Sequence, residues 1–452
     1  MHDFSRFVYR FFACAALLAL TACFMSPEEE EEQVPPPHVV SSTSPLPAAP
    51  AGPLPPTASA TNPAPKPEEY APPSHLGQEA AQASEGKFAP PSHIGEAAKA
   101  VTVKVGLLIP ISGESKGLGQ SLLDAAVLAI YDKYAVLSPR ETTAKVELLP
   151  EDTGDSIEGA EKAAQDAIQS GATILLGPVF GKQVTAVASI ARVKHIPVIT
   201  FSNITSVAGD GVYLFGFIPE QQVARIVQYS MTHQITNIAA MVPSNPYGAA
   251  IVKQLSSEVR KHGGRAYPIE YYPEDMHALD VNVGRLARFL QDEPSKGHAL
   301  FIAEGNQKLK TLTDALAANG ISSSKIQLLG TGLWDDQQIT HWPNVSGGLF
   351  ASSPPEKYRA FEQHFVATYG YKPERRASLS YDAVALASTL AISAKGEGFP
   401  ISMLVDSVGF SGPANGIFRF HEDGTIERGL SVLMVTPQGF RTIDPAPASF
   451  IQ

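Results

Sequence analysis

Three short runs in this chain carry residue types that do chemistry in enzymes, and each fails on spacing or context. Gly113-Glu114-Ser115-Lys116-Gly117 has the letters of a nucleophile elbow, which needs its serine on a tight turn directly between a strand and a helix. Here Ser115 lies past the strand end, beyond Pro110-Ile111-Ser112-Gly113. Asp152-Thr153-Gly154 has the letters of an aspartic-protease loop, but that chemistry needs two carboxylates sharing a proton. No second Asp-Thr-Gly or Asp-Ser-Gly occurs, so the run reads as a strand-to-helix turn. Gly117-Leu118-Gly119 begins a dinucleotide fingerprint, yet Leu122 stands where the third glycine belongs. There is no phosphate-binding loop and no H-E-x-x-H, and the 12 histidines are scattered. The expectation is a protein without catalytic residues, metal ligands or cofactor.

The residue with the most specific context is Cys23. It closes the run Leu20-Thr21-Ala22-Cys23, which follows Arg6, Arg10 and a short apolar stretch over 11–20. That stretch is about half of what crosses a bilayer. A basic start, a short apolar centre and small residues before the cut describe a secretory signal, here 1–22. The arrangement resembles the bacterial lipobox, which implies a lipidated Cys23 as the new N-terminus. Cys14, the other of the 2 cysteines, would leave with the signal, so the mature chain could form no internal disulfide.

Residues 23–100 read as a tether. Glu28 to Glu32 are unbroken acid, Pro35-Pro36-Pro37 follows, and Pro, Ala, Ser and Thr dominate the rest. Too few large apolar side chains are present to offset ordering entropy, so disorder is expected. Its reach is on the order of 100 to 200 Å at about 3 Å per residue. Within it, Tyr70-Ala71-Pro72-Pro73-Ser74-His75-Leu76-Gly77 recurs as Phe88-Ala89-Pro90-Pro91-Ser92-His93-Ile94-Gly95, either a recognition motif or a duplication in low-complexity sequence. A net charge of −11, with Arg375-Arg376 the densest basic pair, argues against nucleic acid. After the signal no apolar run approaches a membrane span.

From Val101 the texture changes. Strand patterns at 103–109, 146–149, 172–176 and 197–201 alternate with helix patterns at 117–133, 155–171 and 184–193. Asp155 and Glu158 have the spacing of a capping pair, and Gly171 is a stop signal. The rhythm restarts after Pro219: helices at 221–233, 248–261 and 308–319, strands at 237–242, 299–303 and 327–329. Helices at 355–369 and 377–394 and a strand at 431–435 complete these two units. Strand-helix alternation means α/β architecture with parallel sheets and helices on both faces.

Certain runs within this rhythm are familiar. Lys104-Val105-Gly106-Leu107-Leu108-Ile109-Pro110-Ile111-Ser112-Gly113, Leu176-Gly177-Pro178-Val179-Phe180, His195-Ile196-Pro197-Val198-Ile199 and Ser380-Tyr381-Asp382-Ala383-Val384 resemble type I periplasmic binding proteins of the leucine-binding kind. Gly330-Thr331-Gly332-Leu333-Trp334-Asp335-Asp336 and Gly416-Ile417-Phe418-Arg419-Phe420 resemble a Gram-negative lipoprotein subgroup described as penicillin-binding-protein activators. The resemblance implies two doubly wound lobes joined by three crossovers, with a ligand cleft between them. The expected division is 101–219 plus 347–395 for the first lobe and 220–346 plus 396–452 for the second.

Clefts in such sheets lie at the C-terminal ends of the strands, where helix N-termini offer free N–H groups. This selects Ser112, Phe180, Gly181, Ser202 and Asn203 in the first lobe, and Tyr247, Glu304, Gly305, Thr331 and Trp334 in the second. In the amino-acid-binding relatives a serine follows the Gly-Pro-x-x unit and helps hold the ligand carboxylate. Gly181 stands there in this chain, and Asn203-Ile204 stand where Ala-Thr is common, so the first lobe lacks a polar anchor. Glu304 is expected to take an ammonium group and Trp334 to cover an apolar or sugar face.

Two functions follow. One is a non-enzymatic lipoprotein, outer-membrane-anchored and facing the periplasm, that regulates peptidoglycan synthesis by engaging a penicillin-binding protein. The other is a receptor that captures leucine-like amino acids or related small ligands for an ABC importer. The fold and the cleft favour the receptor; the tether and the subgroup resemblance favour the regulator.

Overall fold

The computed structural model describes residues 100–138, 143–292 and 298–451. The expected signal peptide, Cys23, the tether and its repeated motif lie outside these residues.

The first lobe opens with β1 (Val101–Ile109), α1 (Lys116–Ala135), β2 (Ala144–Asp152), α2 (Ile157–Gln169), β3 (Ile174–Leu176), α3 (Gly181–Val193), β4 (Val198–Thr200) and β5 (Val212–Leu214). Its five strands are parallel, in the order β2-β1-β3-β4-β5. Alternation along β1 sends Val103, Val105, Leu107 and Ile109 to one core and Leu108 to the other. On the Leu108 side the facing helices are lined by alanines 160, 163, 164 and 167. A Cβ at Gly106 would lie 2.9 Å from the Ala167 methyl, so small residues on both partners let α2 sit close to the sheet. The cap of α2 differs from the expected pair. Ser156 Oγ accepts the Gly159 N–H at 2.9 Å, while Asp155 turns to the Glu114 N–H at 2.8 Å.

The second lobe comprises α4 (Pro219–Thr232), β6 (Asn237–Pro243), α5 (Pro246–Lys261), β7 (Arg265–Tyr272), α6 (Leu279–Asp292), β8 (His298–Ile302), α7 (Asn306–Ala318), β9 (Gln327–Gly330) and β10 (Leu349–Ser352). The chain then builds α8 (Pro355–Tyr369), α9 (Ala377–Ser393), the short α10 (Ile401–Leu404) and the hairpin strands β11 (Phe410–Gly412), β12 (Gly416–Phe420) and β13 (Ile426–Arg428). It ends on β14 (Ser431–Thr436) and β15 (Gly439–Asp444). The second sheet runs β7-β6-β8-β9-β10-β14-β15. Its first five strands are parallel and repeat the order of the first lobe; β14 and β15 add antiparallel.

Packing corrects the expected division between lobes. Leu349–Ser352 pairs with β9 and β14, so the second lobe extends past 347 to Ser352. Phe399, Leu404, Phe418, Phe420 and Ile426 belong to the first lobe's core with α1 and α9, so 396–428 belongs there and not with the second lobe. Phe215 packs edge-on to Phe418, with ring centroids 4.9 Å apart. The chain therefore crosses between lobes three times, at 215–218, 353–354 and 429–430.

Two arginines knit these crossings together. Arg428, nearly fully buried, donates to the Phe215 carbonyl and lies 4.6 Å from the Phe215 ring. Arg375 lies over the rings of Phe217 at 4.6 Å and Tyr358 at 4.0 Å, and reaches Asp335 of the second lobe at 3.2 Å. The basic pair in the sequence is thus half hinge: Arg375 is anchored, whereas Arg376 is exposed.

Candidate functional site

The first crossing leaves the C-terminal end of β5 and enters the N-terminus of α4; the second leaves β10 and enters α8. Both therefore depart from C-terminal strand ends, so these ends of the two sheets face the junction. The same ends carry the helix N-termini, whose first N–H groups have no partner within the helix.

In the second lobe, four of the expected residues converge with one that was not foreseen. Glu304 follows β8 and accepts the Tyr272 hydroxyl at 2.8 Å. Tyr247, in the first turn of α5, places its hydroxyl 3.5 Å from Thr331 Oγ1. Thr331, fully buried, also accepts the Leu333 N–H at 3.3 Å. Burial pushes the Tyr247 hydroxyl up to about 12, with Glu304 and Glu220 adding to the rise against the Thr331 hydrogen bond. Burial and Glu304 push Tyr272 up as well, so both phenols are hydrogen-bond donors at neutral pH. Gly305 has no side chain because the Leu333 carbonyl approaches: a Cβ there would lie 2.7 Å from it.

Trp334 does not cover a ligand. It is 0% exposed and packs in the second lobe's core, tilted against Phe350, with its indole N–H donated to the Glu304 carbonyl at 2.9 Å. A Cβ at Gly330 would stand 2.2 Å from the indole, and one at Gly348 2.6 Å from it, so both glycines make room for the ring. The 3₁₀ turn Gly332–Trp334 buries Trp334 and leaves Leu333, its neighbour, 45% exposed.

In the first lobe the expected residues form two groups. Phe180 precedes α3 and is half-buried, Gly181 begins it, and Ser202 and Asn203 follow β4. Ser202 is buried, and its hydroxyl accepts the Ile204 N–H at 3.1 Å. Asn203 is exposed, on backbone crowded against Gly216 of the first crossing. Ser112 stands apart. Its N–H reaches Asp152 Oδ1 at 3.1 Å, beside those of Ile111 at 2.9 Å and Gly154 at 2.8 Å. Burial works against the ionised Asp152, but its hydrogen bonds from the Ser112 hydroxyl and these amides outweigh it and hold the carboxyl below its ordinary value. Among the described residues no hydrogen bond joins the first lobe's groups to the Tyr247–Glu304 cluster.

Sequence reading missed Tyr272, Glu220, Ile204 and Leu333. Tyr272 ends β7, whose Pro268 disguises an edge strand. The other three lie beside residues that were selected, and the side each side chain faces depends on turns that the sequence does not specify. Two open cavities flank α4, the larger reaching Leu214 at the end of β5 and Glu220. One of about 530 Å³ runs between Gln221, Lys261 and His421; the other, of about 490 Å³, lies between Tyr229 and Phe450. Among the described residues no cluster of His, Cys, Asp and Glu could hold a metal ion, and no helix is long and apolar enough to cross a membrane.

A model of the periplasmic binding protein family matches residues 102–439. The chain belongs to this family. Solved structures give the same fold. A putative branched-chain amino acid ABC transporter protein from Rhodospirillum rubrum matches at 18% identity, covering 76% of this chain and 100% of its own, with a TM-score of 0.67. A branched-chain amino acid ABC transporter periplasmic ligand-binding protein from Burkholderia xenovorans matches at 15% identity, covering 76% and 96%, with a TM-score of 0.63. The branched-chain amino acid transporter substrate-binding protein LivJ of Streptococcus pneumoniae, in complex with isoleucine, matches at 18%, covering 76% and 100%, with a TM-score of 0.54. Among curated proteins, an uncharacterised protein of Rickettsia prowazekii is 22% identical over 233 residues, 50% of this chain and 59% of that protein. The binding protein thus spans somewhat over half the length of that relative.

Proposed function

We propose that this binding protein captures a small organic ligand between its lobes, outside the cytoplasm, as a non-enzymatic receptor of the kind that serves ABC importers. The observation that carries the reading is the Tyr247–Glu304–Thr331 cluster, set where the strand ends of both sheets meet. Glu304 offers a carboxylate with one oxygen engaged by Tyr272, and is suited to an ammonium or hydroxyl group. The isoleucine held by the pneumococcal relative makes amino-acid-like compounds the first to test. Calorimetry on the purified full chain should give a saturable signal that Glu304→Gln weakens at least about tenfold, the loss of one charge-assisted contact. Signals unchanged by that variant would sink the reading.

The composition of 23–100 favours a second role on the same body. A lipid anchor at Cys23 and a long Pro- and Glu-rich tether would let a binding-protein fold reach from the outer membrane toward a peptidoglycan synthase. Here the expected result is stimulation of a penicillin-binding protein that disappears when 24–100 is shortened. Stimulation independent of length would argue against the tether's part in it.

A further inference from the structure

Arg375 is shared between the lobes. Its Nε donates to Asp335 of the second lobe at 3.2 Å, where the Ser352 hydroxyl also donates, at 2.8 Å. Its Nη1 donates within the first lobe, to Ser378 Oγ at 2.8 Å and to Asn415 Oδ1 at 3.0 Å. Asn415, fully buried in the turn between β11 and β12, uses the other end of its amide on α9: Nδ2 donates to Asp382 Oδ2 at 2.8 Å and to the Ser378 carbonyl at 3.2 Å. Four side chains thus run unbroken from a buried carboxyl in the first lobe to a carboxylate in the second.

The direction of the Asn415 amide is set from both sides. A guanidinium can only donate, and an ionised carboxylate can only accept. With Asp382 ionised, one orientation serves both. A proton on Asp382 removes that agreement. Oδ1 accepts the Ala414 N–H at 2.8 Å and Oδ2 the Asn415 amide, so a hydroxyl on either oxygen meets a donor. Of those two donors only the Asn415 amide can exchange its ends. Turned over, it accepts the Asp382 proton and presents its NH2 group to Arg375. Few charges face Asp382. Arg428 on β13 favours its ionised form, Arg375 acts through Asn415, and Tyr381, its neighbour on α9, donates to Asp132 on α1.

We propose that Asp382 and Asn415 form a proton-operated latch on the hinge: with Asp382 ionised, Asn415 holds Arg375 in line with Asp335 and braces the lobes; with Asp382 protonated, the turned amide repels Arg375 and the brace loosens. Burial places the switching range, pushing the Asp382 carboxyl up to about 6 against its hydrogen bonds and Arg428. The rings of Phe217 and Tyr358 keep Arg375 at the hinge in both states. No ligand enters this device, so it stands apart from the reading of the cleft.

Spin labels at exposed Lys162 of the first lobe and exposed Lys261 of the second read the lobe separation in the ligand-free full chain. The ratio of long to short separations should rise about tenfold from about pH 7.5 to about pH 5, the loss of one charged hydrogen bond, with its midpoint near about 6. Asp382→Asn carries an NH2 group where the acid carries its proton, so it should show the low-pH distribution at both pH values. Histidines titrate over the same interval, and this variant separates them: a pH response in Asp382→Asn as large as in the natural chain would overturn the latch. So would a natural-chain distribution that is the same at both pH values. Asp335→Asn keeps the switch and removes the charge it acts on, and its distribution should be broad and independent of pH. Because Asp335 stands at the hinge and not in a core, this variant decides the matter even if Asp382→Asn does not fold. A response equal to the natural one in Asp335→Asn would show that the proton acts on the lobes by another route.

Discussion

At the scale of single residues, glycines decide where side chains can go. Gly330 and Gly348 both press on the Trp334 indole, and neither could carry a methyl without moving the ring. The expected outcome for Gly330→Ala is a loss of about 2 to 4 kcal/mol, the range of overpacking and of a displaced buried aromatic, read from urea unfolding. A loss below about 0.5 kcal/mol would mean the indole relaxes freely. Gly181 predicts a coupled pair. Gly181→Ser alone should cost about 1 to 3 kcal/mol through its clash with Ile204, and Ile204→Ala in the same chain should recover most of it. Additive losses would show that the contact does not limit position 181. The sequence exposes these pairs poorly. Gly181 could be read as a missing hydroxyl, but nothing in its spacing tells that Ile204 fills the space. Likewise Trp334 stands one residue from a half-exposed leucine, and only the 3₁₀ turn decides which of the two is buried.

At the scale of elements, periodicity located most of the long strands and helices, but it missed α6 and the fully buried β10 and β5. β1, α2, α5 and α8 were legible because apolar residues recur at strand or helix spacing and end on Gly or Pro. The three-residue β5 and the hairpin β11–β13 carry too few residues to show a period, and β7 is broken by Pro268. Yet the hairpin shapes the electrostatics of the hinge. Asp382 on α9 is enclosed by it, accepting the Ala414 N–H and the Asn415 amide, each at 2.8 Å. Burial pushes this carboxyl up to about 6, the hydrogen bonds and Arg428 only partly offsetting it. Such a group binds more protons folded than unfolded, so its contribution to stability falls as pH rises through the interval from 3.8 to about 6 and is constant above it. Relative to Asp382→Asn, which keeps the shape and cannot ionise, the natural chain should lose about 2 kcal/mol between pH 4.5 and pH 7. Parallel urea titrations of the two proteins measure this. A gap independent of pH would mean that Asp382 is already ionised in the folded state at pH 4.5.

At the scale of the whole molecule, the sequence showed two α/β units and could not show which sheet a late strand joins. β10 and, three helices further on, the hairpin β11–β13 are successive strands of the chain, yet one completes the second lobe and the other the first. The choice is made by pairing partners: β9 and β14 hold β10, whereas Tyr213 and Phe215, far back in the chain, hold the hairpin. Three crossings alone would leave a hinge free to rotate, the usual expectation for lobes joined by short connections. This chain adds a further restraint. After β15 it leaves the second sheet, the Ala446 N–H bonds Ser431 Oγ at 3.0 Å, and Pro447 packs by Gly429 at the third crossing. Phe450 then lies beneath the Arg419 guanidinium at 4.8 Å and against Gly409, both on the first lobe. Residues 445–450 therefore strap the second lobe to the hairpin of the first. Opening the lobes must either carry the strap along or peel Phe450 from Arg419, and a stacked cation–aromatic contact of this kind resists by about 1 kcal/mol. That suffices to shift an open–closed balance about fivefold without changing the fold. Spin labels at exposed Lys162 of the first lobe and exposed Lys261 of the second report the separation directly. In the ligand-free protein, Phe450→Ala should broaden the distance distribution toward longer values while melting within a few degrees of the natural chain, the shift expected from about 1 kcal/mol. Identical distributions would show that the strap follows the hinge passively, and that the two arginines at the crossings alone set the angle between the lobes.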